Sequence, residues 1–232
     1  MKPYYDHAGI QIFHGDCREI LPTLPKCDLL LTDPPYGIGV SRRTFGTGRI
    51  KGGGFLNASK TACYQPKEFE EHSWDDAPAD KELLAVCIKQ SIGQCIWGGN
   101  YFDLPPSMRW LVWDKCNDGT DFSDAELAWT NQNKALRMFR WRWNGMLQEH
   151  AGKLKEERLW PSMKTLALMK WCLSLFPDAK TVLDPFMGSG TTLVAAKQAG
   201  CEAIGIEQQE KGCEIAAKRL SQEVFDFSEA LR

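Results

Sequence analysis

What the chain lacks narrows its class. No apolar run approaches the length of a membrane span and no basic-then-apolar leader opens the sequence, so the expected compartment is the cytoplasm. The nine cysteines include no C-x-x-C pair and no Cys/His cluster at metal-ligand spacing. Neither a metal nor a disulfide framework is therefore expected, and the thiols read as small buried hydrophobes in a reducing compartment. Histidine is scarce, and His7, His14, His72 and His150 stand in no nucleophile or metal grouping. Excess positive charge is missing too: 28 Lys and Arg face 30 Asp and Glu, for a net charge of -2. Contact with a polyanion would have to come from local basic patches. The G-x-G-x-x-G and G-x-x-x-x-G-K-[ST] nucleotide loops are both absent.

What is there is an alternation of short strands and helices over 232 residues that are 43% hydrophobic and 25% charged, an ordinary globular composition with room for one sizeable core. Ile10–Phe13 is a strand candidate, followed by Gly15-Asp16-Cys17 and a helix from Arg18 to Leu24. Asp28–Thr32 is a continuous apolar run that stops at Asp33-Pro34-Pro35, as a strand buried on both faces does. A helix over Ala79–Ile92, strands at Gln94–Trp97, Arg109–Trp113 and Glu126–Thr130, and a helix over Thr165–Phe176 follow. The last elements are strand Thr181–Leu183, helix Thr191–Ala199, strand Glu202–Ile206 and a helix over Gln208–Leu220. The pattern predicts an α/β sandwich around a largely parallel sheet.

Two stretches carry local positive charge. From Gly37 to Lys67 there are seven glycines up to Gly54, the cations Arg42, Arg43, Arg49, Lys51, Lys60 and Lys67, and no acid before Glu68. This reads as a long, flexible cationic loop, residues 37–71. From Asn131 to Asn144 there are Lys134, Arg137, Arg140 and Arg142 with Phe139, Trp141 and Trp143, again without an acid. This reads as a hairpin arm. Its tryptophans either stack on unpaired bases or pack on the body of the protein.

Two short segments carry the chemistry. Thr181-Val182-Leu183-Asp184-Pro185-Phe186-Met187-Gly188-Ser189-Gly190-Thr191-Thr192 is strand, glycine-bearing turn and helix start. Its glycines let backbone approach a ligand, and Thr191 or Thr192 is expected to cap the helix. The next strand ends in Glu207, 23 residues after Asp184, where an acid takes ribose hydroxyls in mononucleotide-binding units. The expected cofactor is an adenosine derivative without a pyrophosphate.

The second segment is Asp33-Pro34-Pro35-Tyr36. Two prolines hold the Asp33 carboxylate and the Pro34 carbonyl where they point, and Tyr36 offers a flat face. An aromatic amino group is a poor nucleophile because its lone pair is conjugated into the ring. Two acceptors on its hydrogens localise that pair and aim it at an electrophile. The carboxylate also stabilises the positive charge that develops on nitrogen. A base presented to such a pocket must leave the duplex.

These motifs resemble those of the DNA amino-methyltransferases, which make N6-methyladenine or N4-methylcytosine. Asp33-Pro34-Pro35-Tyr36 matches the family's catalytic tetrapeptide, Asp184–Gly190 its cofactor loop and Glu207 its ribose-binding acid. The tetrapeptide precedes the cofactor loop, similar to the circularly permuted "beta" arrangement. The resemblance covers about Ile10 to Leu220. It implies a Rossmann-like methyltransferase fold with a seven-stranded, mostly parallel sheet, one strand of it antiparallel, in a single catalytic domain over residues 1–232. It also implies S-adenosylmethionine as cofactor, held by Asp16, Cys17, Asp33, Lys164, Asp184, Pro185, Phe186, Gly188, Ser189, Gly190, Thr191, Glu207 and Gln208, with S-adenosylhomocysteine as product and no metal. Asp16 would bond the cofactor's adenine amino group. The family's usual His-Pro before the cofactor strand is replaced by Trp160-Pro161-Ser162-Met163-Lys164-Thr165.

Asp at the first position of the tetrapeptide is commoner in the family's adenine enzymes and Ser in its permuted cytosine enzymes, so N6 of a flipped-out adenine is the expected target, with N4 of cytosine the alternative. Only a short insertion, Met146–Trp160, lies where sequence-specific relatives carry a target-recognition region; residues 131–160 thus comprise arm and insertion. DNA contact is expected through the 37–67 loop and the 131–144 arm, and a homodimer fits this arrangement. An RNA substrate, or an idle binding protein on the same fold, are the competing readings.

Overall fold

The computed structural model describes residues 2–38, 75–118, 123–143, 148–149 and 156–222. The cationic loop expected at 37–71 lies almost wholly outside the described residues, as does most of the 146–160 insertion. Nine strands form one sheet: β1 (Tyr5–His7), β2 (Ile10–His14), β3 (Cys27–Thr32), β4 (Ser91–Trp97), β5 (Trp110–Asp114), β6 (Ala125–Thr130), β7 (Arg137–Arg140), β8 (Thr181–Asp184) and β9 (Glu202–Glu207). Their order is β1-β2-β9-β8-β3-β4-β6-β5-β7. β6 runs antiparallel to both neighbours and β1 antiparallel to β2; the other pairs are parallel.

Seven strands were expected, and the excess sits at the two edges. Without β1 and β7 the sheet has seven strands, of which β6 alone is antiparallel. β1 is three residues long and joins β2 through Ala8 and Gly9, both at positive φ (50° and 76°), the geometry of a tight hairpin turn that matches strand twist. β7 occupies the place expected for a hairpin arm. It is an edge strand parallel to β5, with Trp143 beyond it in an antiparallel bridge to Gln148. Trp143 is buried in the core, and Phe139 stacks between Trp141 and Trp171, with ring centroids 5.7 and 5.1 Å away.

Helices cover both faces of the sheet: α1 (Cys17–Ile20), α2 (Lys81–Lys89), α3 (Leu166–Ser174), α4 (Thr191–Gln198) and α5 (Glu210–Ser221). Alternate strand residues feed the two layers. Ile10, Ile12, Leu29, Leu31 and Val182 pack with Leu168, Leu193, Cys213 and Leu220 of α3, α4 and α5. Phe13, Leu30, Ile96 and Leu183 pack with Ile20, Leu83, Leu84 and Cys87 of α1 and α2. Asp80 caps α2 by accepting the Leu83 N–H, and Thr165 caps α3 by accepting that of Leu168 (2.7 and 3.1 Å). The helix expected over Ala79–Ile92 ends at Lys89; Ile92 lies in β4 instead and is 74% exposed. α4 is not capped by Thr191 or Thr192. Its N-cap is Gly190 at φ 74°, where an added Cβ would stand 2.7 Å from that of Ala216.

The chain direction sets up the site. From β8 the chain crosses to β9 on one side, and from β3 to β4 on the other. The β8–β3 boundary is therefore a topological switch point, where open α/β sheets leave a crevice at their carboxyl ends. The β2–β9 pairing (Ile10 opposite Ala203) sets an early strand of the chain beside the last one.

Candidate functional site

A cavity of about 310 Å³ opens at that crevice. Asp184 ends β8 on its floor. It is 3% exposed, and its Oδ1 accepts the Thr32 hydroxyl at 2.7 Å and the Phe186 N–H at 3.2 Å. Burial pushes its carboxyl up to about 6 against the pull of the Thr192 and Thr32 hydroxyls. No ion pair to Asp184 occurs among the described residues. A buried carboxylate served by neutral donors alone is costly when ionised, and it suits a cationic ligand.

Glu207 ends β9 on the opposite wall. Its Oε2 accepts the Gly188 N–H at 3.0 Å and its Oε1 the Gln209 N–H at 2.8 Å. Burial raises its carboxyl, and these two N–H groups restrain the rise. Each oxygen keeps a lone pair for a ligand hydroxyl. Gly188 itself sits at φ 51° under the indole of Trp160, and a Cβ at Gly212 would meet the Glu207 Cγ at 2.7 Å. The glycines thus let loop, helix and acid converge. Arg219 of α5 braces the loop from behind, donating to the Ser189 carbonyl at 2.7 Å and to the Thr191 hydroxyl at 3.0 Å. Asp16 caps α1 by accepting the Arg18 N–H at 2.8 Å, and Arg18 also bonds Asp80.

Asp33 stands where this cavity meets a second group of side chains. Its Oδ1 accepts the Tyr36 hydroxyl and its Oδ2 the Lys164 ammonium at 2.5 Å. Lys164 Nζ lies 3.4 Å from the Tyr36 oxygen and 3.1 Å from Glu126 Oε2, and Glu126 Oε1 pairs with Lys115. Burial raises the Asp33 carboxyl, opposed by Lys164, and also pushes the Tyr36 hydroxyl well above its ordinary value, with Asp33 adding to the shift. Burial disfavours the Glu126 carboxylate as well, but the ammoniums of Lys164 and Lys115 outweigh it and hold the group at about 2. Lys164 is held protonated: burial opposes its charge, and Asp33 and Glu126 prevail.

Tyr36 is fixed on several sides. Its backbone N–H and that of Gly37 both donate to Asp75 Oδ1 at 2.9 Å. Its ring stacks on Tyr101 with centroids 4.9 Å apart and planes 16° apart. Gly98 lies against the ring at φ 68°, where a Cβ would fall 2.0 Å from Tyr36 Cε1. The segment Trp97–Tyr101 is thus the support of this wall.

Every residue expected to hold the cofactor lines the cavity except Gly190, which serves packing against α5. Of the tetrapeptide, Asp33 and Pro35 line it, while Pro34 and Tyr36 do not. Sequence reasoning missed Arg18, Ala77–Asp80, Trp160 and Met163 as cavity wall, and Glu126, with its own partner Lys115, as the second carboxylate on Lys164. Their signal was slight: a charged residue at the end of one strand and another near the start of the next. Among the described residues, no group of three or more His, Cys, Asp or Glu is placed to hold a metal, and no helix is long and apolar enough to cross a membrane.

Comparison with known proteins agrees with this geometry. A sequence model of the N6/N4 methyltransferase family, described as DNA methylase, matches residues 99–218. The chain is 23% identical to the type II methyltransferase M2.DpnII of Streptococcus pneumoniae, over 96% of this chain and 93% of that one. It is 26% identical to the type II methyltransferase M.ScaI of Streptomyces caespitosus, over 96% and 84%. Among solved structures, M1.HpyAVI in complex with S-adenosylmethionine aligns with a TM-score of 0.53 at 23% identity, covering 92% of this chain and 100% of that one. The cytosine-N4-specific PvuII DNA methyltransferase aligns with a TM-score of 0.53 at 14% identity, covering 99% and 92%. At these identities the structural likeness shows the fold, a Rossmann-like S-adenosylmethionine-dependent methyltransferase sheet.

Proposed function

Because the chain belongs to the N6/N4 DNA methylase family and is an S-adenosylmethionine-dependent DNA methyltransferase, we propose that it methylates the exocyclic amino group of a base turned out of the duplex, with adenine N6 as the target. The observation that carries the reading is the meeting of Asp33 with the cavity: one carboxylate borders both the space that fits the cofactor and the aromatic wall of Tyr36 and Tyr101.

When bound, S-adenosylmethionine supplies an electrophilic methyl group and leaves as S-adenosylhomocysteine. The protein's part is to bind and to orient. Glu207 holds the ribose hydroxyls, Asp16 and Cys17 border the adenine, and Asp184, Pro185, Phe186, Gly188, Ser189, Thr191, Gln208 and Lys164 close the remaining wall. The base lies against the Tyr36 side of the site. The Asp33 carboxylate and the Pro34 carbonyl accept its amino hydrogens. Asp33 can do so while keeping its present partners, since each oxygen has a second lone pair. Orientation contributes much of the rate, because the methyl group is already reactive, and the carboxylate stabilises the charge developing on nitrogen.

The Asp at the head of the tetrapeptide favours adenine. Cytosine N4 is the second reading, favoured by the likeness to the cytosine-N4-specific enzyme; both bases present an amino group beside a ring nitrogen. The order of tetrapeptide and cofactor loop along the chain supports a circularly permuted arrangement within the family's sheet, in one catalytic domain over residues 1–232. DNA contact through the 37–67 loop and the 131–144 arm, and a homodimer, belong to the same proposal. Within the arm, Arg140 pairs with Asp114 at 2.7 Å and Trp143 is buried. The exposed Lys134, Arg137 and Arg142 therefore remain for phosphates. Asp33→Ala tests the core of the reading. Methyl transfer to DNA should be lost while the calorimetric Kd for S-adenosylmethionine stays within about threefold, less than 1 kcal/mol. Equal loss of both would place Asp33 with the cofactor rather than the base.

A further inference from the structure

We propose that Glu126, acting through Lys164, is a positioning residue for methyl transfer: its carboxylate shares the Lys164 ammonium with Asp33, so that the ammonium cancels less of the negative field Asp33 presents to the amino group of the base. The inference rests on the function proposed above and assigns a role to a residue that no motif marks.

Four charged groups are linked pairwise, alternating in sign, from the site outward: Asp33, Lys164, Glu126 and Lys115. Their side chains are 18%, 8%, 24% and 16% exposed. Strand pairing fixes the far end. Glu126 faces Trp113 across the β5–β6 ladder, and the Lys115 N–H donates to the Asp124 carbonyl at 2.8 Å. Lys164 stands in the segment leading into α3, at the other side of the crevice, and reaches over to both carboxylates.

The sharing matters because of where the ammonium would otherwise act. At 2.5 Å from Asp33 Oδ2, an ammonium with no second partner cancels much of the negative field that carboxylate presents to its surroundings. That field stabilises the positive charge appearing on the nitrogen during transfer. Glu126 draws on the same ammonium from 3.1 Å. Its Oε2 is buried there as an ion contact without the alignment of a hydrogen bond. Lys115 keeps Glu126 ionised by pairing with its other oxygen. A buried ion chain is an inefficient way to stabilise a fold, since apolar side chains of similar size do as well or better. One that ends on the carboxylate facing the base has a use there.

Glu126→Gln, which keeps the side chain's size and its carbonyl, tests this. The single-turnover rate of methyl transfer to DNA should fall on the order of tenfold while the cofactor Kd holds within about twofold, the pattern of an interaction made in the transition state. The acid limb of the rate–pH profile should also move to lower pH, because Asp33 loses a negative neighbour. A purely structural role would leave the rate of folded, cofactor-binding protein unchanged at pH values above that limb. An unchanged rate, or an unmoved limb, would overturn the inference. Should Glu126→Gln fail to fold, Lys115→Gln decides. Loss of that positive charge should move the limb upward, and a limb left in place would overturn the inference equally. Wild-type protein that binds the cofactor but methylates no DNA would instead strike the proposed function, so the two failures are distinguishable.

Discussion

Asp184 should make the protein less stable as pH rises. Its carboxyl titrates at about 6 in the fold against 3.8 for the ordinary group. The folded state therefore holds this proton more tightly than the unfolded chain does. The associated stability is fully present below about pH 4 and is lost as pH rises toward about 6, beyond which the curve is flat. At roughly 1.4 kcal/mol per unit, the loss is about 3 kcal/mol at pH 7 and about half of that at pH 5. Asp184→Asn removes the titration, and its amide oxygen can still accept from the Thr32 hydroxyl and the Phe186 N–H. Urea unfolding of both proteins from pH 5 to pH 8 gives the difference directly. The stability of the Asn variant relative to wild type should climb by about 1–2 kcal/mol across that range and then level off. Any fixed cost of the amide shifts both ends equally, so the slope is the signal. A difference that stays flat with pH would refute the argument that burial, rather than hydrogen bonding, governs this carboxylate. The same variant should bind S-adenosylmethionine more weakly at pH 8, where the wild-type carboxylate is ionised.

Gly98→Ala should abolish methyl transfer and spare cofactor binding, because the new methyl falls inside the Tyr36 ring while the cavity lies elsewhere. Left-handed backbone and overpacking together should cost about 2–5 kcal/mol in urea unfolding, and wild-type turnover would show that the Tyr36 position is immaterial. Glu207→Ala should weaken S-adenosylmethionine binding on the order of tenfold or more, as loss of a charged hydrogen bond worth about 1.5–3 kcal/mol requires; an unchanged Kd by calorimetry would end its ribose role. Neutralising Arg42, Arg43 and Arg49 together should reduce the slope of log Kd against log salt for DNA by up to about 2.7. No change in that slope would return the 37–71 segment to a solvated loop.

Much of the fold was legible because β3, β8 and β9 are buried on both faces and read as continuous apolar runs with acids at their ends. The edge strands were not. β1 is Tyr-Asp-His and β7 is Arg-Met-Phe-Arg, both largely exposed, so neither carries the pattern that burial imposes. Ile92 misled the end of α2 for a related reason: it is an apolar residue on an exposed strand start. The expected cap at Thr191 or Thr192 gave way to Gly190, because the close approach of Ala216 demands a glycine there. In the site, Asp33, Asp184 and Glu207 announced themselves by spacing within short segments. Glu126 could not, since its partner Lys164 lies in a different part of the chain and only the folded sheet brings the two together, with Lys115 on the other oxygen of Glu126.

The most direct test of the central claim is chemical. Unmethylated genomic DNA incubated with the protein and S-adenosylmethionine, then digested and separated by mass spectrometry, should contain N6-methyladenine. N4-methylcytosine would keep the site and its mechanism and change the base. DNA without any methylated base, from protein shown to bind the cofactor, would contradict the account.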